Sequence, residues 1–427
     1  MPAESGSTTA PRERFRGAVG NLEDAVEDKA KKRILFVDDE PPVLNLLQVL
    51  CRQADPNWEP VFVAGGSLAV RLLAEKPFDA VVSDMRMPEM NGAELLEHVR
   101  DHYPRTFRLV LSGHVDQPLT IRSLGAAHQY QAKPFKFPVL QALLARIFAL
   151  DRYVSDPTLQ AAIGRTYRLP TPAAFQARFA RELSSLGTAT EAIGGLVAHD
   201  VALTAKLLQL VNSAFFGAAR TVLSVNEAVH VLGGGVLRAL GSTKQAFWGQ
   251  GAEQLTDFPL ESVVKHSVAT GLRASRIMSL ERGQPDAVKI AFTAGVLHDI
   301  GKLVLAVAVP ELYRQAVLYG LSEGVSESRA ERSVIGATHA QVGAYLLGLW
   351  GVPEPIVEVV GWHHEPRERI AAGFGPLTAV HVANSVESSP SSSDPGAAAA
   401  GLDREYLNAL RADPQRLSTW LQAGMGE

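Results

Sequence analysis

The chain has 427 residues, too many for one ordinary core, and its length points to two or three domains. Apolar residues at 46% and charged residues at 20% belong to a folded soluble protein and exclude a disordered one. A net charge of -4 argues against nucleic acid as the main partner, because proteins that grip a phosphate backbone carry a basic face. Residues 1–30 mix Pro, Ser, Thr, Glu and Arg without an apolar core; they read as a disordered tail and not as a signal peptide. The single cysteine, Cys51, allows no intramolecular disulfide and fits a reducing cytosol. Its neighbours Val49, Leu50 and Arg52 place it on a candidate helix, as a buried and inert thiol.

From 31 to 150, short apolar runs alternate with amphipathic segments of helical length, the pattern of a parallel sheet covered on both faces. Strands are expected near Ile34–Val37, Val61–Ala64, Ala80–Ser83, Leu109–Leu111 and His128–Gln131. Polar residues stand where these runs end: Asp38 and Asp39, then Asp84 before a Pro/Asn/Gly loop, then Ser112, then Lys133. Carboxyl ends of parallel strands are where open α/β sheets place their chemistry. Three carboxylates in one pocket repel one another and need a cation, and an oxygen-only set suits Mg²⁺. The runs Asp38-Asp39-Glu40, Ser83-Asp84-Met85-Arg86-Met87-Pro88, Leu111-Ser112-Gly113 and Lys133-Pro134-Phe135 resemble the receiver domain of two-component response regulators. The resemblance implies a doubly wound, flavodoxin-like sheet of five parallel strands. It makes Asp84 the phosphoacceptor, with Mg²⁺ held by Asp38, Asp39, Asp84 and the backbone carbonyl of Arg86. Ser112 then matches the switch hydroxyl, Tyr130 the rotating aromatic and Lys133 the phosphate-contacting lysine.

The last helix of this half starts after Phe137, with Leu140, Leu143, Leu144, Ile147 and Phe148 at helical spacing, and is expected to run to about Val154. Residues 151–161 form the helical linker. Beyond them strand signals vanish. Thr188-Ala189-Thr190-Glu191 and Ser224-Val225-Asn226-Glu227 are capping boxes. No strand precedes Gly233-Gly234-Gly235, so it reads as a helix cap and turn and not as a phosphate cradle. Asp200, after His199, is placed as an N-cap. The runs Leu169-Pro170-Thr171-Pro172, Leu203–Leu208, Val211-Asn212-Ser213-Ala214-Phe215-Phe216-Gly217, Trp350-Gly351-Val352-Pro353 and Trp362-His363-His364 resemble the HDOD domain over residues 162–385. That implies an all-α domain of the HD superfamily, a group of relatives used as signalling or scaffold outputs. Residues 386–427 read as a Ser/Pro/Ala-rich loop and a terminal helical tail. The most membrane-like run, 290–309, is interrupted by His298, Asp299 and Lys302, each costly at mid-span, and is expected to be buried helix in a cytoplasmic protein.

His266, His298-Asp299, His339 and His363-His364 come from successive helical segments. Five histidines and an aspartate can meet in a bundle core and hold one or two transition metals, such as Fe or Mn; a histidine alone on an apolar helix is usually a hydrogen-bonded core residue. The spacing is similar to HD-type metal-dependent phosphohydrolases, and in particular to the branch that cleaves cyclic di-GMP. By that likeness Lys302 contacts phosphate. Asn384 stands where that family has a second metal aspartate, and the Gly-Tyr-Pro signature after the paired histidines is replaced by Glu365-Pro366-Arg367-Glu368. Two functions are therefore expected. One is a response regulator, phosphorylated by a sensor histidine kinase or phosphotransfer protein, whose output domain changes orientation or forms a homodimer and then binds another protein. The other is a phosphorylation-regulated phosphodiesterase acting on cyclic di-GMP or a nucleotide. No basic recognition helix supports direct DNA binding.

Overall fold

Parallel pairing brings the polar strand ends together. In the computed structural model, which describes residues 31–113, 125–184, 190–213, 220–242, 255, 258–369, 373–389 and 399–425, the first half forms one five-stranded sheet of order β2-β1-β3-β4-β5. The strands are β1 (Lys32–Val37), β2 (Trp58–Val63), β3 (Ala80–Asp84), β4 (Phe107–Ser112) and β5 (Gln129–Ala132). Helices α1 (Pro41–Cys51), α2 (Gly66–Glu75), α3 (Gly92–His102) and α4 (Phe137–Phe148) flank it. Because both faces are covered, β1, β3 and β4 read as continuous apolar runs and not as alternating ones. The register sets Val37 beside Ser83, Asp84 beside Leu111 and Ser112 beside Ala132, so the carboxyl ends share one rim. Winding reverses between β1 and β3, which opens the crevice there. Cys51 is buried, and burial pushes its thiol up to about 11.

The expected tail at 1–30 lies outside the described residues, as do Thr188 and Ala189 of one capping box and residues 214–217 of the Val211 run. Helix α4 stops at Phe148 and tightens into a 3₁₀ turn (Ala149–Arg152), where the sequence pattern predicts helix to Val154. Leu150 inside the turn and Tyr153 and Val154 just after it are all buried.

The second half is helical: α5 (Pro157–Arg165), α6 (Ala173–Ser184), α7 (Thr190–Val197), α8 (Val201–Asn212), α9 (Val225–Ser242), α10 (Leu260–Leu280), α11 (Pro285–Leu297), α12 (Ile300–Ala308), α13 (Pro310–Glu323), α14 (Glu327–Val334), α15 (His339–Leu349), α16 (Glu354–Trp362), α17 (Pro376–Glu387), α18 (Arg404–Ala409) and α19 (Pro414–Met425). Asp200 caps α8, accepting from the Leu203 N–H at 2.7 Å. Ser224 accepts from Glu227 N–H, but the Glu227 carboxylate reaches Leu223 N–H, so the expected box is only half reciprocal. Gly233, at φ 72°, breaks α9 into two stretches, in line with a turn at the triple glycine. The apolar stretch 285–308 is two mostly buried helices that meet at His298-Asp299. One continuous core joins the two halves. At their junction Arg108 is buried and donates to carbonyl oxygens of Ala126 and Gly164, while Gln209 donates to the carbonyl of His128.

Candidate functional site

At the sheet rim, Asp38 and Asp84 are buried and Asp39 is exposed beside them. The Lys133 ammonium bridges the two, 2.8 Å from Asp38 Oδ2 and in direct contact with Asp84 Oδ1. Asp84 Oδ2 accepts the Arg86 N–H at 2.5 Å, and Asp38 Oδ1 accepts the Glu40 N–H at 2.9 Å. Burial raises the Asp84 pKa, against the opposing pull of Lys133. Burial would lower that of Lys133, but Asp38 and Asp84 together outweigh it and raise it. Gly92 is required here, since a Cβ on it would lie 2.1 Å from the Asp84 carbonyl oxygen. Asn91 and Glu94 cap α3 reciprocally and so fix the loop that follows Asp84. Ser112 is buried at the end of β4, and Tyr130 is buried within β5, beside Val110. A hard, oxygen-only donor set with one ammonium among three carboxylates fits Mg²⁺.

The helical half gathers all six predicted residues. Ligand atoms of Asp299, His339, His363 and His364 lie within 4.8 Å of one another, as do those of His266, His298 and Asp299. Asp299 is shared: Oδ1 is 3.2 Å from His339 Nε2, and Oδ2 is 3.5 Å from His298 Nε2 and 3.7 Å from His266 Nε2. The second position in a helix break, after α11 ends, is what lets His298 and Asp299 both point to one centre. His298 Nδ1 lies 2.7 Å from the Gly295 carbonyl and His363 Nδ1 lies 2.8 Å from that of Val360. Each Nδ1 therefore carries the proton, and each Nε2 turns a lone pair inward. His363 Nε2 is buried with no hydrogen-bond partner among the described residues, at a typical cost of about 1–3 kcal/mol for an unmet group. Converging bare imidazole nitrogens around a buried carboxylate fit a divalent transition ion.

Burial drives His298 down to about 4, favouring the neutral ligand form. Burial also opposes charge on His339, yet Glu331 and Asp299 outweigh it and push it up to about 9. Asp299 is held well below the usual carboxylate range, since His298, Lys302 and His339 more than offset its burial. Lys302 Nζ sits 3.0 Å from Asp299 Oδ2 and 2.7 Å from Glu327 Oε2. Asn384 Oδ1 lies 3.0 Å from His266 Nε2, so the neutral amide occupies the edge of the centre. The centre forms the floor of a cavity of about 840 Å³, whose walls include Lys302, Arg329, Arg332 and Ser262.

Glu331 was not foreseen. It is 2% exposed, its carboxylate oxygens lie 2.8 and 2.9 Å from His339 Nδ1, and it also accepts the His339 N–H at 2.7 Å. The turn at Gly336, φ 89°, separates the two residues, so no helical period links them in the sequence. Arg329 and Arg332 were missed for the same reason: the fold of α14 over the cavity has no local signature. His199 is exposed, with its Nδ1 2.7 Å from the Gly195 carbonyl, and Asp200 caps α8.

A response regulator receiver domain model matches residues 34–145, and an HDOD domain model matches residues 169–366. The chain belongs to the response regulators, with a receiver domain joined to an HDOD domain. An uncharacterized protein of Treponema pallidum is 30% identical over 174 residues, 40% of this chain and 33% of that protein. The regulatory protein AtoC of Escherichia coli is 32% identical over 123 residues, 29% of this chain and 26% of that one. The chain thus spans between about a quarter and a third of these curated relatives. Among solved structures, the MmoQ response regulator of Methylococcus capsulatus is 22% identical with a TM-score of 0.47, covering 60% of this chain and 98% of that one. The receiver of an HD domain-containing protein of Pseudomonas fluorescens is 30% identical, with a TM-score of 0.27, over 30% of this chain and 99% of that one.

Proposed function

We propose that the chain is a cytoplasmic phosphorelay protein in which phosphorylation of Asp84 switches the HDOD domain. The observation that carries this is the Lys133 bridge between Asp38 and Asp84 at the sheet rim. A phosphohistidine on a sensor kinase or phosphotransfer protein supplies the phosphoryl group. The bond from Asp84 Oδ to phosphorus forms as the P–N bond breaks, and the donor imidazole leaves. Asp38 and Asp39, with the Asp84 carboxylate and the Arg86 carbonyl, would hold Mg²⁺, which shields the incoming charge. Lys133 then exchanges its contact with the Asp84 carboxylate for the phosphoryl oxygens, and Ser112 and Tyr130 read the change. The switched HDOD domain, by itself or as a homodimer, engages a downstream protein. Beryllofluoride should alter the oligomeric state or partner affinity of the purified protein, and Asp84→Asn should abolish the response. An identical response in the variant contradicts the switch.

A second reading, hydrolysis of a phosphoester such as cyclic di-GMP or a nucleotide, is favoured by the histidine–aspartate floor of the 840 Å³ cavity. His266, His298, Asp299, His339, His363 and His364 would hold a divalent ion such as Fe or Mn, which supplies Lewis acidity toward phosphate oxygens. Lys302 faces the cavity from Asp299 and is placed to neutralise a bound phosphate. Elemental analysis of protein purified without chelator should find the metal, and the double variant His298→Ala/Asp299→Ala should lose it. Metal-free protein that stays inactive with added Mn²⁺ leaves the binding output alone.

A further inference from the structure

We infer that the receiver controls the histidine centre by gripping a helical hairpin that supplies three of its histidines. This rests on reading Asp84 as the phosphoacceptor and the histidine cluster as a metal site. Helices α15 and α16 run antiparallel about the turn 350–353. Their open end delivers His339 at the start of α15 and His363-His364 at the end of α16. Their closed end lies against the receiver, roughly 16 Å away along α15 at 1.5 Å per residue.

The grip is specific. Gln129 on β5 is the residue before Tyr130, and its Nε2 donates to the carbonyls of Gly348 at 3.3 Å and Leu349 at 3.0 Å. Both carbonyls lie at the end of α15; that of Gly348 also accepts the Gly351 N–H at 3.0 Å, so the receiver strand adds a donor at a helix end, where carbonyls lose their intrahelical partners. Arg152, just after α4, forms an ion pair with Glu354 at the start of α16. Leu150 packs so closely that a Cβ on Gly348 would lie 2.4 Å from it. Tyr153 continues the contact up α16, against Gly361 and with its ring 5.9 Å from that of Trp362, next to His363.

The hairpin is stiff at its far end too. A Cβ on Gly301 would lie 1.8 Å from the His339 carbonyl oxygen, so α12, which begins beside Asp299, is packed against α15 with no slack. Close-packed elements move as units and do not absorb a shift locally. Repacking around Tyr130 that displaces Gln129 is therefore transmitted to His339, His363 and His364 relative to Asp299. Linkage makes the coupling reciprocal, so the metal must bias the receiver by the same factor.

The test is a Co²⁺ titration of the full chain, followed by the visible band of imidazole-ligated Co²⁺, with Mg²⁺ present and with or without beryllofluoride. Wild type should show a shift in Co²⁺ affinity of about fivefold or more between the two states. Gln129→Ala should still bind both beryllofluoride and Co²⁺ but lose most of the shift. Arg152→Glu, at the exposed side of the grip, should weaken the shift, and the charge swap Arg152→Glu/Glu354→Arg should restore it. An unchanged shift in both Gln129→Ala and Arg152→Glu overturns the inference, as does an absent shift in wild type that binds both ligands. Failure to bind Co²⁺ at all would instead sink the metal reading, and failure to bind beryllofluoride the phosphoacceptor reading.

Discussion

Two aspartates show how surroundings decide what a carboxylate does. Asp84 is raised by burial and is contacted by one lysine and one backbone N–H, which leaves it oriented and open at the rim. Asp299 is more deeply buried, but its neighbours His298, Lys302 and His339 outweigh that burial and hold it ionised. Glu331 does for His339 what Asp299 does for the centre. Its carboxylate fixes the ring orientation and keeps a proton on Nδ1, so Glu331→Gln should weaken metal binding about 10–100-fold, read by Co²⁺ titration, without unfolding the chain. Asp200 gives a stability prediction. Its folded carboxyl holds a proton to about pH 7, against 3.8 for the free group, because burial outweighs its hydrogen bonds from Leu203 and Thr171. Between those values the folded state binds more protons, so stability is fully present below about pH 4 and falls as pH rises through 7. Asp200→Asn keeps the cap and removes the ionisation. It should be more stable than the parent at pH 8, on the order of 2–4 kcal/mol, with the gap closing near pH 4. Urea unfolding at the two pH values checks this, and a gap independent of pH contradicts it. All six histidine-centre residues were legible because imidazoles on apolar helices are conspicuous. Glu331 was not, because a buried glutamate reads in sequence like any surface one.

Elements were legible where local pattern and tertiary demand agree. Strands β1, β3 and β4 show as apolar runs because both sheet faces are covered, and each of the five expected strands overlaps an observed one. The end of α4 was misread because the choice between helix and a 3₁₀ turn depends on where Leu150, Tyr153 and Val154 find a core, and that core lies in another domain. The hairpin of α15 and α16 shows in its Trp-Gly-Val-Pro turn, but its contact with Gln129 spans about two hundred residues and leaves no trace in either segment. Glycines at close approaches give a direct check on these packings. Gly301→Ala should cost about 1–3 kcal/mol or more by overpacking and should also weaken metal binding, since the added methyl meets the His339 carbonyl. Thermal unfolding and Co²⁺ titration read the two effects, and a neutral substitution would show that α12 and α15 are looser than they stand here. Gly92→Ala should likewise destabilise the receiver and slow its phosphorylation, measured with acetyl phosphate, because the methyl would displace the Asp84 backbone.

At the scale of the whole molecule, a receiver and a histidine-bearing helical domain share one core, with buried polar contacts across the junction from Arg108, Gln129 and Gln209. That arrangement is stiffer than two domains on a flexible tether and suits a protein whose halves must sense each other. The stretch that most resembles a membrane span is where the helical domain keeps His298 and Asp299, mostly inside the protein. The most direct measurement is transfer of labelled phosphoryl from acetyl phosphate to the full chain in Mg²⁺. The account predicts an acid-stable, base-labile label near one per chain on the wild type and none on Asp84→Asn. Equal label on both, or none on either, would contradict it.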